Sequence, residues 1–264
     1  MAVGDRISAN DGTSDRLFVV PELTLVINRV DDVFKGRGPA NGYVKLFCGY
    51  TNGFEPCQQK WKIRVNAGGK WAYRPGWDVV GWQQMSVRWT SVNGDQVWAN
   101  ARGPFVDVTI GSAVVRGATR ANAPATVALR RAGSNDVRAT AVTNGNPLWG
   151  EFKTKFRDVN GNPVKVRADD RITSDVAPDE DWIVPNIVAN ADSESDSVAG
   201  VCPAESFFAR AEVVRNDYPD GDYTWPEEDG SFEIDLSWLD IQPREPVRVS
   251  CYLVGPGDWA GRAI

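Results

Sequence analysis

The sequence predicts an all-β protein: three tandem immunoglobulin-like β-sandwiches with an extra N-terminal strand. Three observations predict it. The first is a hairpin signal, an Asn-Gly pair between two alternating runs in Ser91-Val92-Asn93-Gly94-Asp95-Gln96-Val97-Trp98. The second is recurrence, because degenerate copies stand at Val3 to Ser8, Ala168 to Thr173 and Pro256 to Ala260. From Asp5 to Asp95 to Asp170 to Asp258 the intervals are 90, 75 and 88 residues, the mark of a tandem array. The third is a pair of glycine landmarks at the same period. Gly36, Gly117 and Gly200 lie 81 and 83 apart, and Gly69, Gly150 and Gly230 lie 81 and 80 apart.

In chain order, residues 1–19 read as a closing strand and linker whose own sandwich body is absent. The first sandwich spans 20–103. It opens on the alternating run Val20 to Ile27, turns at Lys35-Gly36-Arg37-Gly38-Pro39, and continues through Tyr43 to Phe47, Trp61 to Val65, Trp71 to Tyr73 and Met85 to Trp89. The second, 104–183, repeats the order with Phe105 to Ile110, a turn at Gly117, Ala125 to Leu129 and Gly150 to Phe156. The third, 184–264, opens on Val184 to Ile187, turns at Gly200 and carries Gly230 to Leu236. Phe207 to Val214 reads as strand or helix, and nothing else sustains a helical period.

Of 264 residues 42% are hydrophobic and 10% aromatic, a globular composition. No apolar run reaches the roughly 20 residues that a membrane helix needs. Met1-Ala-Val-Gly-Asp5 lacks the basic and apolar segments of a signal peptide, so a secreted origin implies a leader removed or replaced. The net charge of −6 hides a split: residues 1–170 carry 23 basic and 15 acidic side chains, residues 171–264 carry 6 and 20. Opposite ends of such a chain attract, which favours head-to-tail association that weakens with salt.

Four cysteines fall in two local pairs, Cys48 with Cys57 and Cys202 with Cys251. Pairing within a unit is the simplest of three connectivities, and paired cysteines point to an oxidising, extracellular or cell-surface compartment. There is no histidine, which removes Ser-His and Cys-His nucleophiles and histidine zinc sites. Carboxylate-only glycoside hydrolysis stays formally open, but small tandem sandwiches leave little room for its cleft, so a non-enzymatic protein is expected. Asp217, Asp220 and Asp222 supply hard oxygens that suit calcium, against the plainer reading of solvated surface charge, and no other cofactor is implied. The 11 tryptophans include Trp61, Trp71 and Trp89 in strands, where alternation turns rings inward. Trp77 and Trp82, in a turn-rich stretch, are the better candidates for stacking on glycans. The basic surplus forms no tract, so no nucleic-acid partner is expected.

The Gly-Asp hairpins, the Val-Pro openings (Val20 to Leu23, Val184 to Ile187), the glycine turns and the Gly-x-aromatic strands (Gly69 to Trp71, Gly150 to Phe152, Gly230 to Phe232) together resemble the tandem Ig-like repeats of large secreted bacterial surface proteins. The resemblance covers nearly the whole chain and implies a structural or adhesive role as stalk, fibre or spacer. The many tryptophans and two cysteine pairs depart from it. The expected function is a non-enzymatic subunit or segment of an extracellular filament or stalk, with a carbohydrate-binding adhesive protein as the alternative. The surplus first strand cannot bury Ile7, Ala9, Leu17 and Phe18 alone, so it is expected to join an exposed sheet edge, that of a neighbouring copy by donor-strand addition or that of its own chain.

Overall fold

In a computed structural model the structure describes residues 2–10, 15–51, 55–56, 60–77, 79, 81, 83–176, 181–204, 206–215, 218–253 and 259–264. All regular elements among them are strands, and they fall into two compact units. One comprises residues 1–104 with the short loops 120–122 and 146–150, and the other comprises the remainder.

The first unit begins with a hairpin of β1 (Arg6–Asn10) and β2 (Asp15–Val19), a two-stranded sheet of its own. A three-stranded sheet of β3 (Val26–Asn28), β4 (Val33–Arg37) and β8 (Lys70–Tyr73) follows. The opposing sheet runs in the order β10 (Gln96–Arg102), β9 (Gln84–Thr90), β5 (Tyr43–Thr51), β6 (Glu55–Pro56), with β7 (Lys60–Arg64) also paired to β5. Phe34, Val44, Leu46, Val65, Trp71, Met85 and Val87 fill the core between the sheets. Period-two alternation does this: Val44 and Leu46 are fully buried while Tyr43 and Lys45 are exposed.

In the second unit, β11 (Phe105–Ile110), β12 (Val114–Ala118) and β15 (Glu151–Lys155) pair as β3, β4 and β8 do. A separate sheet runs β14 (Val137–Asn144), β13 (Pro124–Arg130), β16 (Arg171–Ser174), β17 (Asp181–Ile183). The last stretch gives β18 (Val188–Asp192), β19 (Ser197–Val201) and β22 (Ser231–Asp235) as one sheet. Opposite it stand β20 (Ser206–Arg215), β21 (Tyr218–Thr224), β23 (Val247–Leu253) and β24 (Trp259–Ala263). The chain is thus three Ig-like sandwiches in tandem, each a three-stranded sheet facing a longer one. Parallel pairing of β24 with β11 joins two of these sheets into one of seven strands, ordered β15-β12-β11-β24-β23-β20-β21.

Three readings of the sequence are corrected, and one left open is decided. Gly36, Gly117 and Gly200 are not turns; they lie inside β4, β12 and β19, opposite Trp71, Phe152 and Phe232. The run from Val20 is not strand throughout: the ladder starts at Val26, since Pro21 has no N–H to give and Thr24 meets β4 partly through its hydroxyl, which accepts from Arg37 N at 2.9 Å. The Gly-Asp copy at 168–173 does not close its sandwich. β10 and β24 bond to β9 and β23, whereas β16, which follows Asp170, bonds to β13 itself and leaves β17 as the outer strand. Asp170 is buried and receives Arg138 at 2.5 Å and Arg167 N at 2.8 Å, so its carboxylate anchors a loop there. Phe207 to Val214, finally, is strand β20.

Candidate functional site

Cys202 and Cys251 are bonded to each other. Cys202 follows β19 and Cys251 lies in β23, so the bridge ties the two opposed sheets of the third sandwich across their core. Cys48 is buried in β5; Cys57 lies outside the described residues.

At the N-terminus, β1 is bonded antiparallel to β2, with Ile7 opposite Phe18, Ser8 opposite Leu17 and Ala9 opposite Arg16. The Phe18 ring stacks on Trp89 with centroids 6.3 Å apart, and Val20 is buried. Leu17 and Val19 remain exposed on the other face, and Ile7 is exposed as well.

Trp77 is half-buried, its ring 5.6 Å from that of Trp61, which in turn lies 5.0 Å from Tyr73. This packing against the core removes much of the ring face that a sugar would use. Its Nε1 is buried without a hydrogen-bond partner among the described residues, as are both amide atoms of Gln83. Trp82 lies outside the described residues, as does Asp217. Asp220 and Asp222 sit two apart on β21, and Asp222 accepts from Tyr223 N at 2.8 Å. Among the described residues no three acidic or cysteine side chains converge, and the candidate trio is incomplete there because Asp217 lies outside them. Other acids are held by protein partners: Asp175 caps Thr126 N at 2.7 Å, and Asp181 pairs with Arg171, which lowers its pKa.

The most distinctive chemistry lies elsewhere, on the outward face of the first sandwich's longer sheet. Inward positions of β5, β7, β9 and β10 feed the core, so Tyr43, Lys45 and Phe47, Lys60, Lys62 and Arg64, Arg88 and Trp98 point away from it. Register brings them into rows. Lys62, Lys45, Arg88 and Trp98 lie side by side across four strands; Lys60 and Phe47 flank them on one side, Arg64 and Tyr43 on the other. The Arg88 guanidinium sits 4.9 Å from the centroids of both Phe47 and Trp98, and Lys62 Nζ lies 4.4 Å over Tyr43. Outward positions of these four strands carry no carboxylate, and among the described residues the five cations make no ion pair. Arg88 Nε is buried without an acceptor. On the same unit a groove of about 630 Å³ runs along β4 and β8, lined by Lys35, Arg37, Arg64, Lys70 and Trp71 among others.

Sequence reasoning missed this face because its cations come from three separate strands, none of which reads as a basic tract. The available signal was alternation: Tyr43-x-Lys45-x-Phe47 and Lys60-x-Lys62-x-Arg64 each place every second side chain on one side.

No protein-family model matches the chain, and no curated protein matches it in sequence. Among solved structures it is similar to a tetra-tandem repeat from the extending region of a large adhesion protein, at 15% identity and a TM-score of 0.25, covering 97% of this chain and 79% of that one. It is also similar to part of a 1.5-MDa bacterial ice-binding adhesin, at 16% identity and a TM-score of 0.26, covering 92% and 95%. Domains FN1 to FN3 of chicken CNTN1 match at 9% identity and a TM-score of 0.19, covering 89% and 94%. Similarity this low carries no inference, and the architecture rests on the strand pairing itself. Among the described residues no helix is long and apolar enough to cross a membrane.

Proposed function

We propose that this chain is a non-enzymatic, load-bearing segment of an extracellular filament or surface stalk. The observation that carries the reading is repetition of structure: three successive sandwiches are built on the same glycine–aromatic cross-strand pair, one unit plan used again and again as in a stalk or fibre. An inter-sheet disulfide in the third sandwich supports an oxidising compartment, where such bonds persist. Head-to-tail assembly is favoured by the split between a basic first part and an acidic last part.

The N-terminal hairpin is the proposed connector. Donor-strand addition here takes the form of edge pairing, because β1 already bonds to β2 on one side and offers its other edge, with Leu17 and Val19 exposed beside it. Such a contact is heterologous and propagates into an open fibre. Electron microscopy of the purified chain at several concentrations and salt strengths tests this. Ordered fibres that thin out between about 0.1 M and 1 M salt, and vanish on deletion of residues 1–19, are expected. Fibres unchanged by the deletion would remove the hairpin from the assembly, and a monomer under every condition would remove the filament.

A further inference from the structure

We infer that the outward face of the β7-β5-β9-β10 sheet binds a linear acidic polysaccharide with one carboxylate per sugar residue, a polyuronate. The argument starts from a cost. Like charges directly opposite on neighbouring strands are destabilising, and Lys62, Lys45 and Arg88 stand opposite one another on three strands in a row. No carboxylate among the described residues pairs with them. Solvated lysines would ordinarily splay apart, but two of these cations are held in place: Arg88 is wedged between Phe47 and Trp98, and Lys62 lies over Tyr43. A fixed, uncompensated row of positive charge is a template for an anion row of matching pitch.

The pitch selects the ligand. Adjacent strands lie about 4.8 Å apart, so the three cations repeat at roughly that distance across the sheet. A linear sugar chain advances by a comparable length per residue, so a polymer with a carboxylate on every residue keeps anions within reach of the row all along its length, even though successive residues turn about the chain axis. Lys60 and Arg64 extend positive charge to either side, and the exposed rim of Trp98 provides an apolar surface at the end of the row for a sugar C–H face. A single-stranded nucleic acid fits less well, because base stacking needs bare ring faces and a cation already occupies one face of each of Phe47, Trp98 and Tyr43.

Binding of the full chain to immobilised polygalacturonate, neutral dextran and an oligo(dT) strand tests the inference. Expected are binding to polygalacturonate that weakens steadily with salt, none to dextran, and a loss of at least tenfold in Lys45→Ala/Lys62→Ala/Arg88→Ala. The triple variant should melt no lower than the parent, since it removes repulsion, and Lys45→Arg/Lys62→Arg should keep binding. A control pair on the second unit, Lys153→Ala/Lys155→Ala, should bind as the parent does. Undiminished binding by the triple variant overturns the proposal, as does equal retention on dextran. Tighter binding of oligo(dT) overturns it in favour of nucleic acid. Should the triple variant lose only self-association, the face is a contact between copies and the proposal falls.

Discussion

Gly117 and Phe152 face each other across β12 and β15, and the phenyl ring lies over the space where a glycine side chain would begin. A Cβ on Gly117 would stand 2.5 Å from Phe152 Cζ and 2.3 Å from the carbonyl oxygen of Phe105 on the neighbouring strand. The same clash recurs at Gly36 with Trp71 and Thr24 O, and at Gly200 with Phe232 and Val188 O. Here glycine serves no turn. It lets the first strand of each sandwich draw close enough for the aromatic side chain to cover both.

Gly117→Ala should therefore destabilise the second unit by about 1 to 3 kcal/mol, the range for overpacking a filled site, with backbone rather than a flexible side chain in the way. Phe152→Ala should cost about 3 to 5 kcal/mol by the opposite route, a cavity. Denaturant midpoints would measure both. If Gly117→Ala leaves the midpoint unchanged, the close approach of β11 and β12 is not a requirement of the fold.

How much of this was legible follows from which physics each feature obeys. Alternation and turn chemistry are local, so β5, β7, β8 and β9 of the first sandwich and the Asn93-Gly94 hairpin could be placed from the residues alone. The 81-residue glycine spacing marked equivalent positions, but the pairing that makes Gly117 a strand glycine is non-local. The same holds for Asp170, whose Gly-Asp-like context mimics the hairpin while its carboxylate serves Arg138. The cationic face was hidden for the same reason, since no window of sequence contains Lys62, Lys45 and Arg88 in a row.

A pH dependence follows from Glu245. Its carboxylate receives Arg215 Nε at 2.6 Å and Nη2 at 2.7 Å, and accepts from Gln242 N at 3.0 Å. These bonds to the charged form, led by the guanidinium, lower its pKa from 4.5 to about 2. A folded-state pKa below the unfolded one contributes stability that is complete above the unfolded value and is lost as pH falls through the folded one. Stability of the parent should thus decline from about pH 5 to about pH 2, and Glu245→Gln should decline less across that window. Parallel curves for the two proteins from pH 7 to pH 2 would show that Glu245 does not govern the acid limb.

The last prediction concerns how the second and third sandwiches share a sheet. Arg248 on β23 reaches across the intervening strand β24 to Asp107 on β11, its Nη2 lying 2.7 and 2.9 Å from the two carboxylate oxygens. Gly261 makes the crossing feasible: a Cβ there would stand 3.1 Å from Arg248 Nε. Both side chains are mostly shielded, 20% and 14% exposed, so Asp107 depends on Arg248 and Arg248 depends chiefly on Asp107, with Glu212 opposite it on β20 a weaker second anion. Breaking such a pair strands a charge in a poorly solvated place, whereas replacing both partners with apolar groups leaves nothing unpaired. Asp107→Ala alone should then cost about 2 to 4 kcal/mol, somewhat below the fully buried case because water still reaches the pair. Asp107→Leu/Arg248→Met should recover most of that loss. Urea unfolding followed by a probe in the second unit, such as Trp182, measures all three proteins. Equal destabilisation of the single and double variants would mean that the ion pair itself, rather than the stranded charge, holds β11 to β24.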